Sequence, residues 1–316
     1  MTDAYNPERL GRKPAIENHE DLLEIIGKIV DGCANPRATL LRDIFEDCLP
    51  MGTKPPTWND QDRAFNVGAS IALLMDFGVL HDGANGSAGT VPLTSWRNDV
   101  SAIDFIEEAF HRGPANSDMR SVLGEVKVTK LIKNAKLNLV LTNDIRRHLV
   151  LDRKVRTVWI FHQSTALREL LSASETDPSA VILPRDLMLE VLDTIHHVLF
   201  PLESGSQKLL KSLVLKDGWD KGLLSDMSIP YRKDTNPEIT YAFFGDRLRE
   251  LHNEVQNPTP HGWLERRLKR KNETYMLKAT MYGVFIAVTL GFLGLGVAIF
   301  QAWVGYQQWK HPVKNS

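Results

Sequence analysis

The sequence contains little cysteine and no recognisable arrangement of metal ligands. Cys33 and Cys48 are the two cysteines among 316 residues, and neither belongs to a Cys-x-x-Cys pair or a Cys/His cluster. We therefore expect no structural disulfide framework, no bound metal and no cofactor.

Local motifs of the common enzyme classes are also missing. The sequence has no G-x-S-x-G nucleophile elbow, no G-x-x-x-x-G-K-[ST] phosphate loop, no G-x-G-x-x-G after a strand and no H-E-x-x-H. We predict that the protein is not an enzyme. The alternative is a hydrolase or metal enzyme built around His162, at the end of a predicted strand, or around Asp193 and His197, which share a helical face.

A secretory signal is not visible at the N-terminus. Glu24 and Lys28 interrupt the first apolar residues, and no basic stretch leads into an uncharged hydrophobic run. The sequence therefore predicts a body that stays in the cytosol.

Excess positive charge is absent from the sequence as a whole, whose formal net charge is -1. Up to Asp118 there are about twice as many acids as bases, which argues against nucleic acid as a partner. The segments after it are more basic, and a solvated face, an acidic partner, RNA or the membrane surface would each explain them. Their cations are Lys127, Lys130, Lys133, Lys136, Arg146, Arg147, Arg153, Lys154 and Arg156.

Charge is missing altogether between Lys278 and Lys310. This stretch exceeds the roughly 20 apolar residues that cross a hydrocarbon core of about 30 Å as a helix. Tyr282, Trp303 and Tyr306 lie toward its ends, where aromatic rings meet the lipid headgroups. We predict a single transmembrane helix over residues 279–304 and a short tail over residues 305–316.

Basic residues flank this helix mainly on its N-terminal side. The tail has only Lys310 and Lys314, so the positive-inside rule places the body in the cytosol and the protein in the tail-anchored class. The cations on the N-terminal side of the helix are also candidates for contact with anionic lipids. They are Arg266, Arg267, Lys269, Arg270, Lys271 and Lys278.

Small residues recur along one face of the predicted membrane helix. Such a stripe lets two helices approach closely, which favours a homo-oligomer. Glycine and alanine are also common in membrane helices that do not associate, so this alternative stays open. The stripe comprises Gly283, Ala287, Gly291, Gly294, Ala298, Ala302 and Gly305.

Helical periodicity dominates the body, which predicts a mainly α, bundle-like fold with at most a small β element. Residues 1–118 form one helical region, with a conceivable winged-helix hairpin over residues 76–96, and residues 119–256 form a helical core region. Residues 257–278 are a linker and basic juxtamembrane segment.

Individual helices and one strand of the body are predicted from their apolar spacing and residue types. Gly68 marks a close helix contact, and residues 126–151 form one or two helices. The β-branched and aromatic residues 155–161 form a strand. Pro184 opens a helix that ends at Pro201, and a last helix runs from about Pro237 to Val255.

The second half of the chain, from about Val126, resembles a large group of filamentous-fungal proteins of unknown role. These have a helical cytosolic region and one C-terminal membrane helix. The resemblance implies that architecture but no catalytic residue. It rests on Leu141-Thr142-Asn143-Asp144 with Arg147-His148-Leu149, Ile160-Phe161-His162, Gly245-Asp246-Arg247-Leu248, Trp263-Leu264-Glu265-Arg266-Arg267 and Lys310-His311-Pro312.

These observations predict a membrane-anchored scaffold or adaptor that faces the cytosol, binds protein partners and self-associates through its membrane helix. One alternative is an effector whose oligomerised C-terminal helices perturb the bilayer. The other is an enzyme without a recognisable motif.

Overall fold

The computed structural model describes residues 14–46, 55–78, 95–113, 119–225, 239–259 and 263–310, without the side chains of residues 120, 263–283, 308 and 309. The chain divides into two units, residues 1–258 and residues 259–316. The predicted start of the linker at residue 257 lies beside this division. The boundary at residue 118 stays a prediction.

Helices form most of the first unit, which confirms the mainly α prediction. Among the described residues, 3-10 turns tighten the chain at Ile145–Arg147 and Pro178–Ala180, and π-helical turns widen it at Thr194–Leu199. The α-helices are α1 (His19–Asp31), α2 (Arg37–Phe45), α3 (Trp58–Leu73), α4 (Ala102–Ala109), α5 (Arg120–Glu125), α6 (Val128–Lys133), α7 (Ser164–Thr176), α8 (Arg185–Asp193), α9 (Ser204–Lys216), α10 (Gly222–Ser225) and α11 (Gly245–Gln256).

Helix α1 begins at a capping box and packs against α3. The Asn18 side chain accepts a hydrogen bond from Asp21 N, and the Asp21 carboxylate accepts one from Asn18 N. At the contact, a Cβ placed on Gly68 would lie 2.7 Å from Ile25 Cγ2. The close contact predicted at Gly68 is therefore confirmed.

A three-stranded sheet crosses the helical body in the order β1 (Asn138–Thr142), β3 (Thr157–Phe161), β2 (Leu151–Asp152). Strand β3 pairs parallel with β1 and antiparallel with β2. The predicted strand is confirmed from residue 157 onward, and helix α6 confirms part of the helical prediction for residues 126–151. The remainder of that prediction is wrong for Asn138–Thr142, because these residues pair with β3 as an extended strand.

The helix predicted to begin after Pro184 is confirmed as α8, which continues through the π-helical turns to Leu199. Helix α11 begins at Gly245, so the prediction of helix from about Pro237 is wrong for residues 239–244. Tyr241 has a left-handed backbone with φ of 50°, which prevents a continuous helix there.

The core of the first unit is built around aromatic side chains. Phe65, Phe105 and Phe161 are fully buried. Trp96 stacks on Phe105 with ring centroids 5.7 Å apart, and its indole N–H donates to Val100 O over 2.9 Å. The hairpin predicted over residues 76–96 lies for the most part outside the described residues.

In the second unit the structure describes one helix, α12 (Trp263–Lys310). Within it, Val284–Gln307 form a 24-residue segment that is long and apolar enough to cross a membrane. This confirms the predicted C-terminal helix by length and composition. Large apolar side chains along it, such as Phe285, Phe292 and Phe300, are exposed.

Candidate functional site

An apolar groove of about 660 Å³ lies between α3 and α7 in the first unit. This volume falls within the range of about 300–1,000 Å³ that is typical of ligand pockets. One wall follows a face of α3, and the other follows a face of α7. The described lining residues are Val67, Ser70, Ile71, Leu74, Met75, Asp76, Asn143, Gln163, Ala166, Glu169, Leu170 and Ala173.

One end of the groove is fixed by the turn that follows β1. Ile145 N donates to Leu74 O over 2.9 Å, and Asp76 N donates to an Asp144 carboxylate oxygen over 3.2 Å. Leu74 has a left-handed backbone, with φ of 52°. These bonds hold the strained end of α3 beside the sheet.

A buried ion pair stabilises this end of the groove. Asp144 is 1% exposed and Arg146 is 5% exposed, and Arg146 Nη2 lies 2.7 Å from Asp144 Oδ2. Arg146 Nε donates to the same carboxylate, while Nη2 also donates to Asp76 O over 2.7 Å. Because the guanidinium bonds both the Asp144 carboxylate and the chain after α3, it ties the end of α3 to the turn after β1.

Polar side chains meet at the carboxyl ends of the parallel strands β1 and β3. His162 Nε2 lies 2.8 Å from Asn143 Oδ1, which also accepts a hydrogen bond from Gln163 Nε2 over 3.0 Å. Asp220 N donates to His162 Nδ1 over 3.1 Å. Asn143 and Gln163 belong to the groove lining, so this network borders the groove directly.

The hydrogen bonds of His162 fix the state of its ring. Since Nδ1 accepts from Asp220 N, the proton of the neutral ring lies on Nε2 and is donated to Asn143. Burial lowers the pKa of His162, and the negative charge of Asp220 opposes this shift. Burial raises the pKa of Asp220, but hydrogen bonds from Thr165 and Gly222 outweigh it and the net pKa is lowered. Both ring nitrogens of His162 are therefore engaged in structural hydrogen bonds, one with Asn143 after β1 and the other with Asp220 before α10.

A second histidine, His148, lies fully buried behind the sheet. Its Nδ1 accepts a hydrogen bond from Phe161 N over 3.2 Å, and Nε2 lies 2.7 Å from Thr194 Oγ1. Arg247 Nη1 donates to His148 O over 2.6 Å. Burial, reinforced by the charge of Arg247, lowers the pKa of His148 to about 3.

Asp193 and His197 meet on α8 and its π-helical extension, as their spacing predicts. His197 Nδ1 lies 2.8 Å from Asp193 Oδ1, and the Tyr241 hydroxyl donates to the other carboxylate oxygen. Among the described residues no group of three or more His, Cys, Asp or Glu side chains is placed to hold a metal ion. The pair therefore gains no further ligand from the described part of the chain.

A smaller pocket of about 200 Å³ lies beside Glu190. The Glu190 carboxylate accepts hydrogen bonds from the backbone N–H groups of Phe243 and Phe244, which precede α11. Burial raises the pKa of Glu190 to about 7 in spite of these bonds. The Glu190 carboxylate thereby satisfies two backbone N–H groups just before α11, which is a structural role.

Several cations of the basic segment form ion pairs within the first unit. Lys127 pairs with Glu203, Lys130 pairs with Glu125, and Arg153 Nη2 lies 3.0 Å from Glu250. Arg146 is the buried partner of Asp144. The pairs of Lys127, Lys130 and Arg153 favour the interpretation of a solvated face at these positions, whereas Arg146 belongs to the interior.

The small residues of the second unit lie along one side of α12. From Gly283 to Gly305 the members of the stripe fall within an arc of about 100° on a helix of 3.6 residues per turn. Self-association through them stays a prediction. The six cations proposed for lipid contact, at positions 266–278, lie among residues whose side chains are outside the described part.

The groove was not predicted from the sequence, although one signal was present. Val67, Ser70, Ile71 and Leu74 follow the i, i+3, i+4, i+7 spacing of a single helical face. The sequence does not show that this face stays uncovered, because that depends on where α7 packs.

Comparison with protein-family models, with curated proteins and with solved structures gives no match for this chain.

Proposed function

We propose that the protein is a membrane-anchored adaptor whose helical body faces the cytosol and binds other proteins. The observation that carries the proposal is the uncharged segment Val284–Gln307 of α12. At 1.5 Å per residue, 24 helical residues extend about 36 Å, which is enough to cross a hydrocarbon core of about 30 Å.

The composition of α12 supports lipid as its surroundings. A lone helix cannot bury its own side chains, and exposure of Phe285, Leu293 and Ile299 to water would be costly. Thr289 Oγ1 donates to Phe285 O over 2.8 Å, so even this hydroxyl is satisfied within the helix. Satisfying polar groups internally is what a membrane helix requires.

The distribution of cations supports the orientation. Six lysines and arginines lie within the sixteen residues before Ala279, whereas Lys310 and Lys314 alone follow the apolar segment. The positive-inside rule places the more basic flank, and with it the body, on the cytosolic side.

The groove supports binding more than catalysis. Its walls are mostly apolar, and the polar groups at its end are bonded to one another. Both ring nitrogens of His162 are engaged by Asp220 and Asn143, so His162 is poorly placed to act as a general base. Such a surface suits the apolar face of another protein.

Insertion into microsomes tests the tether and its orientation together. A hydrophilic spacer with an Asn-Gly-Thr acceptor is added after Ser316, and the chain is translated without membranes before microsomes are supplied. We expect the added acceptor to be glycosylated, because the tail crosses the membrane. The two acceptors of the natural sequence, Asn85 in Asn-Gly-Ser and Asn272 in Asn-Glu-Thr, should stay unmodified on the cytosolic side.

The control carries Gln in place of the added Asn. Glycosylation at Asn85 would show the opposite orientation. A chain that stays in the supernatant, with no acceptor modified, would contradict the anchor itself.

A further inference from the structure

The described residues that line the groove between α3 and α7 carry charge of one sign only. Asp76 lies at the end of α3 and Glu169 lies on α7, while no lysine or arginine is among them. The polar lining residues Ser70, Asn143 and Gln163 are uncharged. A ligand of this groove therefore meets apolar walls edged by carboxylates.

The groove has the dimensions of a short stretch of helix. Its lining runs over Val67–Leu74 on one wall and Gln163–Ala173 on the other. At 1.5 Å per residue these walls are about 10 and 15 Å long, which corresponds to two or three helical turns. Gln163 at the start of α7 donates to Asn143, and Ile145 in the same turn donates to Leu74 O at the end of α3, so both walls are bonded to the turn after β1.

Glu169 is available to a partner. Its side chain is exposed, and among the described residues no cation lies within ion-pair distance of it. The Asp76 carboxylate is half-buried and accepts a hydrogen bond from Gly78 N over 2.9 Å, which fixes its position. Positive charge already lies beside Asp76, because Arg146 Nη2 donates to Asp76 O over 2.7 Å, so Glu169 is the carboxylate that a partner's cation can reach.

We propose that the groove binds one amphipathic helix of a partner protein that carries lysine or arginine beside its apolar face. This proposal rests on the adaptor function and names the class of partner. Apolar residues at i, i+3, i+4 and i+7 of the partner pack between α3 and α7. Its cations pair with Glu169, and a helix with an acidic flank is repelled by that carboxylate.

A pair of synthetic helical peptides tests this proposal. The full chain is incorporated into phosphatidylcholine nanodiscs, which carry no net charge. Two fluorescent peptides share one leucine face and differ only in lysine or glutamate beside it. We expect the lysine peptide to bind at least tenfold more tightly than the glutamate peptide in fluorescence anisotropy, after subtraction of binding to empty nanodiscs.

A charge-reversal variant locates the peptide. Glu169→Lys should weaken binding of the lysine peptide about three- to tenfold, because it replaces an attraction by a repulsion. Glu107→Lys is the matched control, since Glu107 is an exposed glutamate on α4 outside the groove lining. We expect that control to leave the affinity unchanged.

A substitution on the apolar wall tests the same site independently. Ile71 is 48% exposed in the groove, so Ile71→Lys changes the surface without opening the core, and we expect binding to fall at least tenfold. Leu215→Lys on α9 is the control, because Leu215 is 81% exposed and lies outside the groove.

Equal affinity for the two peptides would overturn the proposal. So would equal affinity of Glu169→Lys and Glu107→Lys for the lysine peptide. Whether the chain incorporates into nanodiscs tests the membrane anchor, and the peptide titration tests the partner class, so the two outcomes can be told apart. If the chain does not incorporate, the proposed tether fails, and the titration in neutral maltoside micelles still decides the partner class.

Discussion

At the scale of single residues, His148 shows how burial makes a neutral side chain part of the structure. Its neutral ring accepts from Phe161 N through Nδ1 and reaches Thr194 through Nε2. A second proton on Nδ1 would face the Phe161 N–H and add a charge close to Arg247. The low pKa of His148 is the consequence.

The pH dependence of stability follows from this shift. The folded pKa of about 3 lies below the ordinary value of 6.5, so protons bind preferentially to the unfolded chain. The stabilisation is fully present above pH 6.5 and is lost as the pH falls toward 3. We expect His148→Gln to reduce the slope of unfolding free energy against pH by about 1.4 kcal/mol per pH unit within this window, measured by urea denaturation in neutral detergent.

The control for this measurement is His111→Gln. His111 is exposed, so its replacement should leave the slope unchanged. Some slope should persist in His148→Gln, because burial also lowers the pKa of His196, to about 4. An identical slope in the wild-type chain and His148→Gln would show that His148 is not held neutral by the fold.

The contacts of such residues were only partly predictable from the sequence. The i, i+4 spacing was sufficient to predict that Asp193 and His197 meet, because one helix places both. The Asp144–Arg146 pair is also local, but its burial depends on Asp76 and the aromatic rings of Phe77 and Phe105, which come from distant segments. A tertiary environment of this kind has no signature in the sequence near the pair.

At the scale of elements, two glycines on neighbouring helices have opposite roles. Gly68 lies where α3 approaches α1, and an added Cβ would come within 2.7 Å of Ile25. Gly27, in α1, has open space around the same position. Glycine is therefore required by packing at Gly68, whereas Gly27 only weakens its helix.

Substitution of these glycines should change stability in opposite directions. We expect Gly68→Ala to destabilise the protein by about 1–3 kcal/mol through overpacking. Gly27→Ala should stabilise it by about 0.5–1 kcal/mol, because alanine favours the helical backbone. Urea denaturation of the two variants compares them directly, and a stabilised Gly68→Ala would contradict the close packing of α1 and α3.

Helices were predictable from the sequence where a continuous apolar face coincides with end signals. Helix α8 has Pro184 before it and Pro201 after its π-helical extension, and both ends follow from the properties of proline. Strand β1 was not predictable in this way, because its pattern of burial is set by pairing with β3 across 14 intervening residues. The groove between α3 and α7 depends on the same long-range packing.

At the scale of the whole molecule, the chain combines a helical unit that has its own aromatic core with a unit made of a single long apolar helix. The first unit buries its apolar side chains internally, whereas the second cannot. The apolar part of α12 corresponds to one property of the sequence, the absence of charge between Lys278 and Lys310. The proposed membrane anchor would give this segment a solvent that matches its surface.

Flotation of the full chain on liposomes after an alkaline carbonate wash tests this claim most directly. We expect the wild-type chain to float with the lipid. A Leu290→Arg/Leu293→Arg variant should be released, because each arginine near the middle of a membrane helix opposes insertion by about 2.5–3.5 kcal/mol. Leu290→Ile/Leu293→Ile is the matched control and should float like the wild type. Release of the wild-type chain into the aqueous fraction would contradict the membrane anchor and the adaptor function built on it.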